Sequence, residues 1–351
     1  MERYIGLDAH RDSCTVAVIG PSGKRLKSFV VETNGSALVE AIRCISGRRH
    51  ICLEEGTQSA WLHEILSPHA EEVVVVVPEK RRGTKSDKRD AWTPAEELRT
   101  GAIVTRVYRA PTHLAALKNA VRGHLMAVRD VVRAKNRLKA IWRSRGIHST
   151  AGVYEAETRG RWIRRLPKAY RPLAEGLGQQ LDVLEPLRDQ AERSLLEEAK
   201  THPTVRMIST APGMGRIRSA QVVAVVATPH RFRTRQQFWR YCGLAIVTRS
   251  SADWVYVNGQ RERRDVWQTR GLTRKRNPLL KQVFKGAATT VITQLADHPL
   301  HEDYLRMIDS GIKPNLARIT LARRLSAIVL SMWKHQEVYD PSRHRVVDDQ
   351  Q

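Results

Sequence analysis

The sequence predicts a mixed α/β unit followed by a mainly helical chain, and three observations predict it. Three strand-like runs, Tyr4 to Leu7, Cys14 to Gly20 and Leu26 to Val31, are followed by alternating helical and strand-like segments as far as Val77. From Thr112 to Arg145 there is no proline, and apolar residues recur mostly at spacings of three and four. Beyond residue 200 further helical patterns flank a hairpin signal, Asn258-Gly259.

The first strand run ends in a carboxylate, Asp8, and the second begins soon after it. Pro21-Ser22-Gly23-Lys24 is a turn that makes the second and third runs antiparallel neighbours. Asn34 is placed to cap a helix, Ala37 to Ile45, that buries Leu38, Ala41, Ile42 and Ile45. A strand His50 to Leu53, a helix Ser59 to Leu66 and a strand Glu72 to Val77 follow. The unbroken valines 73–77 predict a strand covered on both faces. A three-strand meander followed by helix and strand in alternation matches the ribonuclease H-like fold. In that fold the first strand and the strand after the first helix are neighbours, which brings Asp8 and Glu54 together.

Lys85 to Asp90 reads as a helix start with Ser86 as its cap. Asp87 and Asp90, three apart, share one face of a turn. Pro94 disturbs this helix and leaves the pair on its first turn or on a loop. Four converging carboxylates repel one another unless a cation joins them, so Asp8, Glu54, Asp87 and Asp90 are candidate ligands for magnesium or manganese serving phosphodiester chemistry on nucleic acid. Simpler readings stand beside this one. Asp8 would serve as a turn residue, Glu55 is chemically equivalent to Glu54, and Lys85, Lys88 and Arg89 would pair with the two aspartates on a solvated helix. The same strands also resemble the phosphate-binding hairpin of actin-like ATPases, but Ala9-His10-Arg11 stands where that hairpin needs glycine.

Lysine and arginine number 60 against 36 acids, a formal charge of +24. A polyanionic partner is the expected consequence. No apolar run is long enough to span a bilayer and no signal peptide opens the chain, so a cytoplasmic, nucleoid-associated protein without membrane contact is expected. Cys14, Cys44, Cys52 and Cys242 are too dispersed for a zinc knuckle or a redox pair, and the 13 histidines form no His-x-x-x-His pair.

The long helical stripe runs through Leu114, Leu117, Val121, Leu125, Val128, Val132, Leu138 and Trp142. Its other faces carry Arg129, Arg133, Lys135 and Arg137, more cationic than solubility needs and suited to tracking phosphates. Gln179 to Lys200 is a second, acidic helix in which Pro186 predicts a kink or restart. The two would form an antiparallel hairpin or a dimerising coiled coil. Further on, Gly213 and Gly215 of Pro212-Gly213-Met214-Gly215 precede a helix, an arrangement similar to the turn with which helix-hairpin-helix proteins contact DNA. Thr234 to Cys242 is a helix stopped at Gly243. Asn277-Pro278 opens another helix, and a last one spans about Asn315 to Lys334.

Ile-Gly-Leu-Asp at the start, Cys-Leu-Glu before Gly56-Thr57, Lys-Ser-Asp-x-x-Asp-Ala, Pro-Gly-Met-Gly, Phe-Trp-Arg-Tyr-Cys-Gly-Leu and Arg-Ser-Ser occur in this order over nearly the whole chain. Together they resemble the DEDD-motif insertion-sequence transposases, the bridge-RNA-guided recombinases. That resemblance implies a RuvC-like metal domain (1–105), a helical coiled-coil linker that dimerises (106–200), and a C-terminal transposase domain (201–351). It implies that Asp8, Glu54, Asp87 and Asp90 are the catalytic acids and Ser251 the nucleophile. It further implies double-stranded DNA and a structured guide RNA as partners, and a homodimer or homotetramer in which the acids of one subunit meet the serine of another. Ala252-Asp253-Trp254 follows the serine pair where the family often has glycines and a lysine, so Ser250 and Ser251 both stay open. The alternatives are a nuclease or junction resolvase that uses water as its nucleophile, and an inactive copy that only binds nucleic acid.

Overall fold

Strands β1 (Glu2–Ala9), β2 (Ser13–Ile19) and β3 (Arg25–Glu32) form an antiparallel meander. Helix α1 (Gly35–Arg43) starts where the Asn34 side chain accepts from the Ser36 and Ala37 amides at 3.0 and 3.4 Å. It carries the chain over the sheet, so β4 (Arg48–Glu54) returns parallel to β1; α2 (Ser59–Leu66) does the same for β5 (Glu72–Val76). The resulting order is β3-β2-β1-β4-β5. The computed structural model describes residues 1–77, 87–103, 105–109, 112–257 and 260–343, and the chain divides into two units, Met1–Thr112 and His113–Gln351.

Alternation along the strands sends residues to two faces. Ile5, Leu7, Ile51, Leu53 and Val75 pack on one face with Leu38 and Ile42 of α1 and Leu62 and Leu66 of α2. Cys52, Val74 and Val76 pack on the other with Leu98 of α3 (Asp87–Thr100). Val74, Val75 and Val76 are buried on both faces, as the sequence predicts, although β5 ends the strand order; Val77, 49% exposed, lies beyond the strand. The β5 edge is met by the following segment, where the Val107 amide donates to Val75 at 2.7 Å. Helix α3 continues through Pro94, whose missing N–H removes one helical bond without ending the helix. Asp87 and Asp90 therefore lie on its first turn.

In the second unit α4 (Ala115–Arg143) and α6 (Arg171–Lys200) pack antiparallel, with α5 (Ala156–Arg164) between them in sequence. Leu117 and Val121 share a core with Leu195 and Ala199, while Leu138 and Trp142 share another with Ala174 and Leu181. Helix α6 begins at Arg171 rather than Gln179 and runs through Pro186 without the expected restart. Contacts with α4 on both sides of Pro186 offset the one hydrogen bond that proline cannot make. Arg159 of α5, itself buried, donates to both oxygens of Asp182 at 2.6 and 2.7 Å and holds that carboxyl below its usual range.

The remaining elements are α7 (Pro203–Ile208), α8 (Gly215–Val226), α9 (Arg235–Cys242), β6 (Ile246–Val257), β7 (Gln260–Leu272), α10 (Pro278–Gln294), α11 (Pro299–Asp309) and α12 (Pro314–His335). Phe238, Phe284, Leu321 and Leu325 lie in their common core, and α8 is buried nearly all round. Asn277 caps α10 by accepting from the Leu279 and Leu280 amides. The hairpin is a long ribbon rather than a small one, because β6 extends back through the serine pair to Ile246. Among the described residues, no helix is long and apolar enough to cross a membrane.

Candidate active site

Two of the four candidate acids occupy equivalent positions on adjacent parallel strands. Leu7 pairs with Leu53 in the β1–β4 register, and Asp8 and Glu54 are the next residues of each strand. By alternation they belong to the face of Gly6 and Cys52, which α3 covers. Gly6 is what allows that cover: a Cβ there would lie 1.8 Å from the Ala91 carbonyl oxygen and 2.9 Å from the Ala95 nitrogen. Ala91 and Ala95 are fully buried, so the helix backbone rests on the strand.

The direction of α3 follows from its far end. Arg99 donates to the Pro21 carbonyl in the β2–β3 turn, on the side of the sheet where Tyr4 pairs with Ile19. Asp8 pairs with Thr15 at the opposite side, so α3 runs antiparallel to β1 and its first turn, with Asp87 and Asp90, lies toward the Asp8 and Glu54 end. The side chains of Asp87 and Asp90 lie outside the described residues. Among the described ones, no three His, Cys, Asp or Glu side chains converge on a metal position. The four candidate acids are all carboxylates, the donor type a hard divalent cation prefers.

Two neighbours sharpen this site, and sequence reasoning assigned neither. Nε2 of His10 lies 3.2 Å from Oδ2 of Asp8, brought back by a tight β1–β2 turn in which the His10 amide donates to Ser13. The short separation of Asp8 and His10 was a usable signal. Arg109 binds Glu55 and donates to Ser59 Oγ at 2.6 Å, so Glu55 is engaged away from the strand end that Glu54 occupies. No local pattern announces a contact between residues 55 and 109.

In the second unit the two turn glycines differ in their work. Gly213 has φ +71°, and a Cβ there would meet the Ala287 carbonyl oxygen at 2.4 Å; its own carbonyl accepts from Arg218, which also donates to Thr290 at 2.9 Å. It fits α8 against α10. Gly215, with φ +57° and nothing within 4 Å of its Cβ position, opens the N-terminus of α8 to its surroundings. Ser250 and Ser251 are in β6, paired with Trp267 and Val266 of β7. Their side chains lie outside the described residues.

Residues 5–144 match the DEDD transposase model of the IS110 type, and residues 205–304 match the Transposase IS116/IS110/IS902 family. The chain belongs to these DEDD transposases. No curated protein matches it. Family membership places the activity in DNA transposition and makes DNA the substrate. The two matched regions cover the acid-bearing sheet and most of the C-terminal helices.

The basic face of the transposase's α4 is selective. Arg122, Arg129, Arg133 and Arg137 are exposed, and their spacing of seven, four and four keeps them on one side of the helix. Arg133 is bridged to Asp130 within the same helix. Lys135 behaves differently: half-buried, it lies 2.7 Å from Glu185 of α6 and 5.3 Å from the Tyr154 ring, holding the hairpin together.

Proposed function

We propose that this transposase is an RNA-guided recombinase of a mobile element, cutting and rejoining DNA through a phosphoserine intermediate. The observation that carries the reading is the acid end of the sheet, where Asp8 and Glu54 share one face at one level and α3 rests on Gly6. Asp8, Glu54, Asp87 and Asp90 would hold a divalent cation, magnesium or manganese. Bound there, it neutralises charge at the scissile phosphate and makes a hydroxyl a better nucleophile.

Ser251 is the proposed nucleophile, acting with the acids of a neighbouring subunit. Its attack on phosphorus forms the serine ester while the deoxyribose 3′ oxygen leaves with a proton, so the bond energy is retained for rejoining without ATP. Arg129, Arg133 and Arg137 provide the phosphate-tracking surface for DNA or the element's structured RNA, and Gly215 offers the open amides of α8. In the proposed division of labour, 1–105 is the RuvC-like, ribonuclease H-like catalytic part, 106–200 the dimerising linker and 201–351 the serine-bearing part. The sheet order supports the first part of that division, while α4 and α6 belong to one structural unit with 201–351.

The decisive assay combines protein, magnesium, junction and target DNA, and the RNA flanking the element. Asp8→Asn should lose strand cleavage while keeping nucleic-acid binding. A covalent protein–DNA adduct should form with the native chain and vanish in Ser251→Ala. An undiminished adduct in that variant removes Ser251 from the role, and cleavage without any adduct assigns the attack to water.

A further inference from the structure

A cavity of about 520 Å³ lies over α12 in the C-terminal helices, apart from every residue assigned above. Its volume is in the range that holds a small organic ligand, about 300–1,000 Å³. One wall is α9, with Arg235 and Trp239; the other is Leu300 together with the segment Glu337 to Asp340 that follows α12. Apolar surface from Ala327, Ile328 and Met332 lines the space between them.

The cationic groups are not equivalent. Arg324 is neutralised by Asp303, a buried carboxylate. Arg323 has no such partner: its Nε donates to the Leu244 carbonyl at 2.8 Å, while Nη2 is buried and reaches no hydrogen-bond acceptor among the described residues. No carboxylate balances the Arg323 charge among the described residues, and an anion in the cavity that this side chain lines would do so. Arg323 is on the α9 side, since its carbonyl accepts from the Trp239 indole at 3.1 Å. There the Arg235 guanidinium lies 5.6 Å from the centre of the Trp239 ring. Two arginines and an indole thus share one wall, and Glu337 and Asp340 belong to the opposite one. An anion attached to a flat apolar body can put its charge at the α9 edge and its body over Ala327, Ile328 and Met332.

We infer that this cavity receives one unstacked nucleotide of a single strand, its phosphate at Arg235 and Arg323 and its base against Trp239 and the apolar floor of α12. Bases stack on indole without regard to sequence, so the site would hold a displaced strand in place rather than read it. DNA and RNA offer the same chemistry, and the test separates them. The inference rests on the chain handling nucleic acid but not on the serine or the acids, and its readout needs no cleavage.

Full-length protein is irradiated with single-stranded DNA or RNA 12-mers carrying one 5-iodouracil, and the crosslinked peptides are mapped. Crosslinks to Trp239 or Tyr339 are expected with at least one of the two strands, and the one that reacts identifies the source. Ala327→Phe puts a ring into the cavity from its floor and should weaken binding of that strand about tenfold. Arg323→Gln should do the same, while duplex binding along α4 stays unchanged in both. Crosslinks only outside the cavity, or native affinity in Ala327→Phe with its fold verified by circular dichroism, overturn the inference.

Discussion

A methyl group at residue 6 would stand 1.8 Å from the Ala91 carbonyl oxygen, so Gly6→Ala must lift α3 from β1. Backbone cannot turn aside as a flexible side chain can. The variant should lose about 3 kcal/mol of stability, the upper end for overpacking, and lose strand cleavage with it, because the same contact sets where the first turn of α3 lies. Denaturant unfolding and a cleavage assay at a temperature where the variant remains folded would check both. At the opposite end of the sheet His50 is 2.7 Å from Glu2 and 3.1 Å from Glu72. The hydrogen bond to His50, then the nearby Arg48, holds Glu2 below the usual carboxylate range despite some burial. A depressed carboxylate contributes stability that is fully present above its unfolded pKa and lost as pH falls through the folded one. Glu2→Gln should therefore flatten the acid limb of the stability profile, below about pH 4.5, and leave the pH dependence near neutrality unchanged. An unchanged acid limb in thermal melts would remove Glu2 from that role.

At the scale of elements, α11 is tied to α12 by one buried acid. Asp303 accepts from Arg306 of its own helix and from Arg324 of α12, and it is only 4% exposed. Removing its charge leaves two guanidinium groups without their anion, so Asp303→Asn should cost about 3 kcal/mol, seen as a lower midpoint in urea at constant slope. A change below 0.5 kcal/mol would mean that solvent already compensates the arginines. Nothing in the spacing of residues 303 and 324 signals this tie. What the sequence did disclose were features written in local chemistry: the Asn34 and Asn277 caps, the Gly243 stop, the valine strand, and the stripe that seats α4 on α6. The parallel neighbours β1 and β4 followed from topology, which placed Asp8 beside Glu54. Pattern failed where tertiary contact overrode it. Pro186 predicts a kink or restart and Pro94 a disturbed helix, yet packing on α4 and on the sheet carries both helices through their proline. Lys135 looked like its basic neighbours until Glu185 and Tyr154, remote in sequence, claimed it. Short polar residues such as the serine pair favour turns, yet the ladder to β7 makes them strand.

Across the whole molecule the excess of 24 positive charges is a statement about binding, since compact chains repel themselves without an anionic partner. How much of that charge meets phosphate is measurable. Each phosphate neutralised contributes about 0.9 to the slope of log K against log salt on duplex DNA. Arg129 and Arg137 stand exposed on α4 with Arg133 between them, and the Asp130 bridge to Arg133 lets that one contribute less. Replacing all three by glutamine should lower the slope by about 2 to 3 and weaken binding at low salt most, with the thermal transition unmoved because none of them supports the core. Lys135→Gln should do the reverse: it should disturb the hairpin through the lost contact with Glu185 and barely alter the slope. Titrations of native and variant protein between 50 and 300 mM salt, roughly the span over which counterion release dominates, separate the two behaviours. A triple variant with the native slope would take the nucleic-acid surface off α4 and leave the charge to be accounted for elsewhere on the chain.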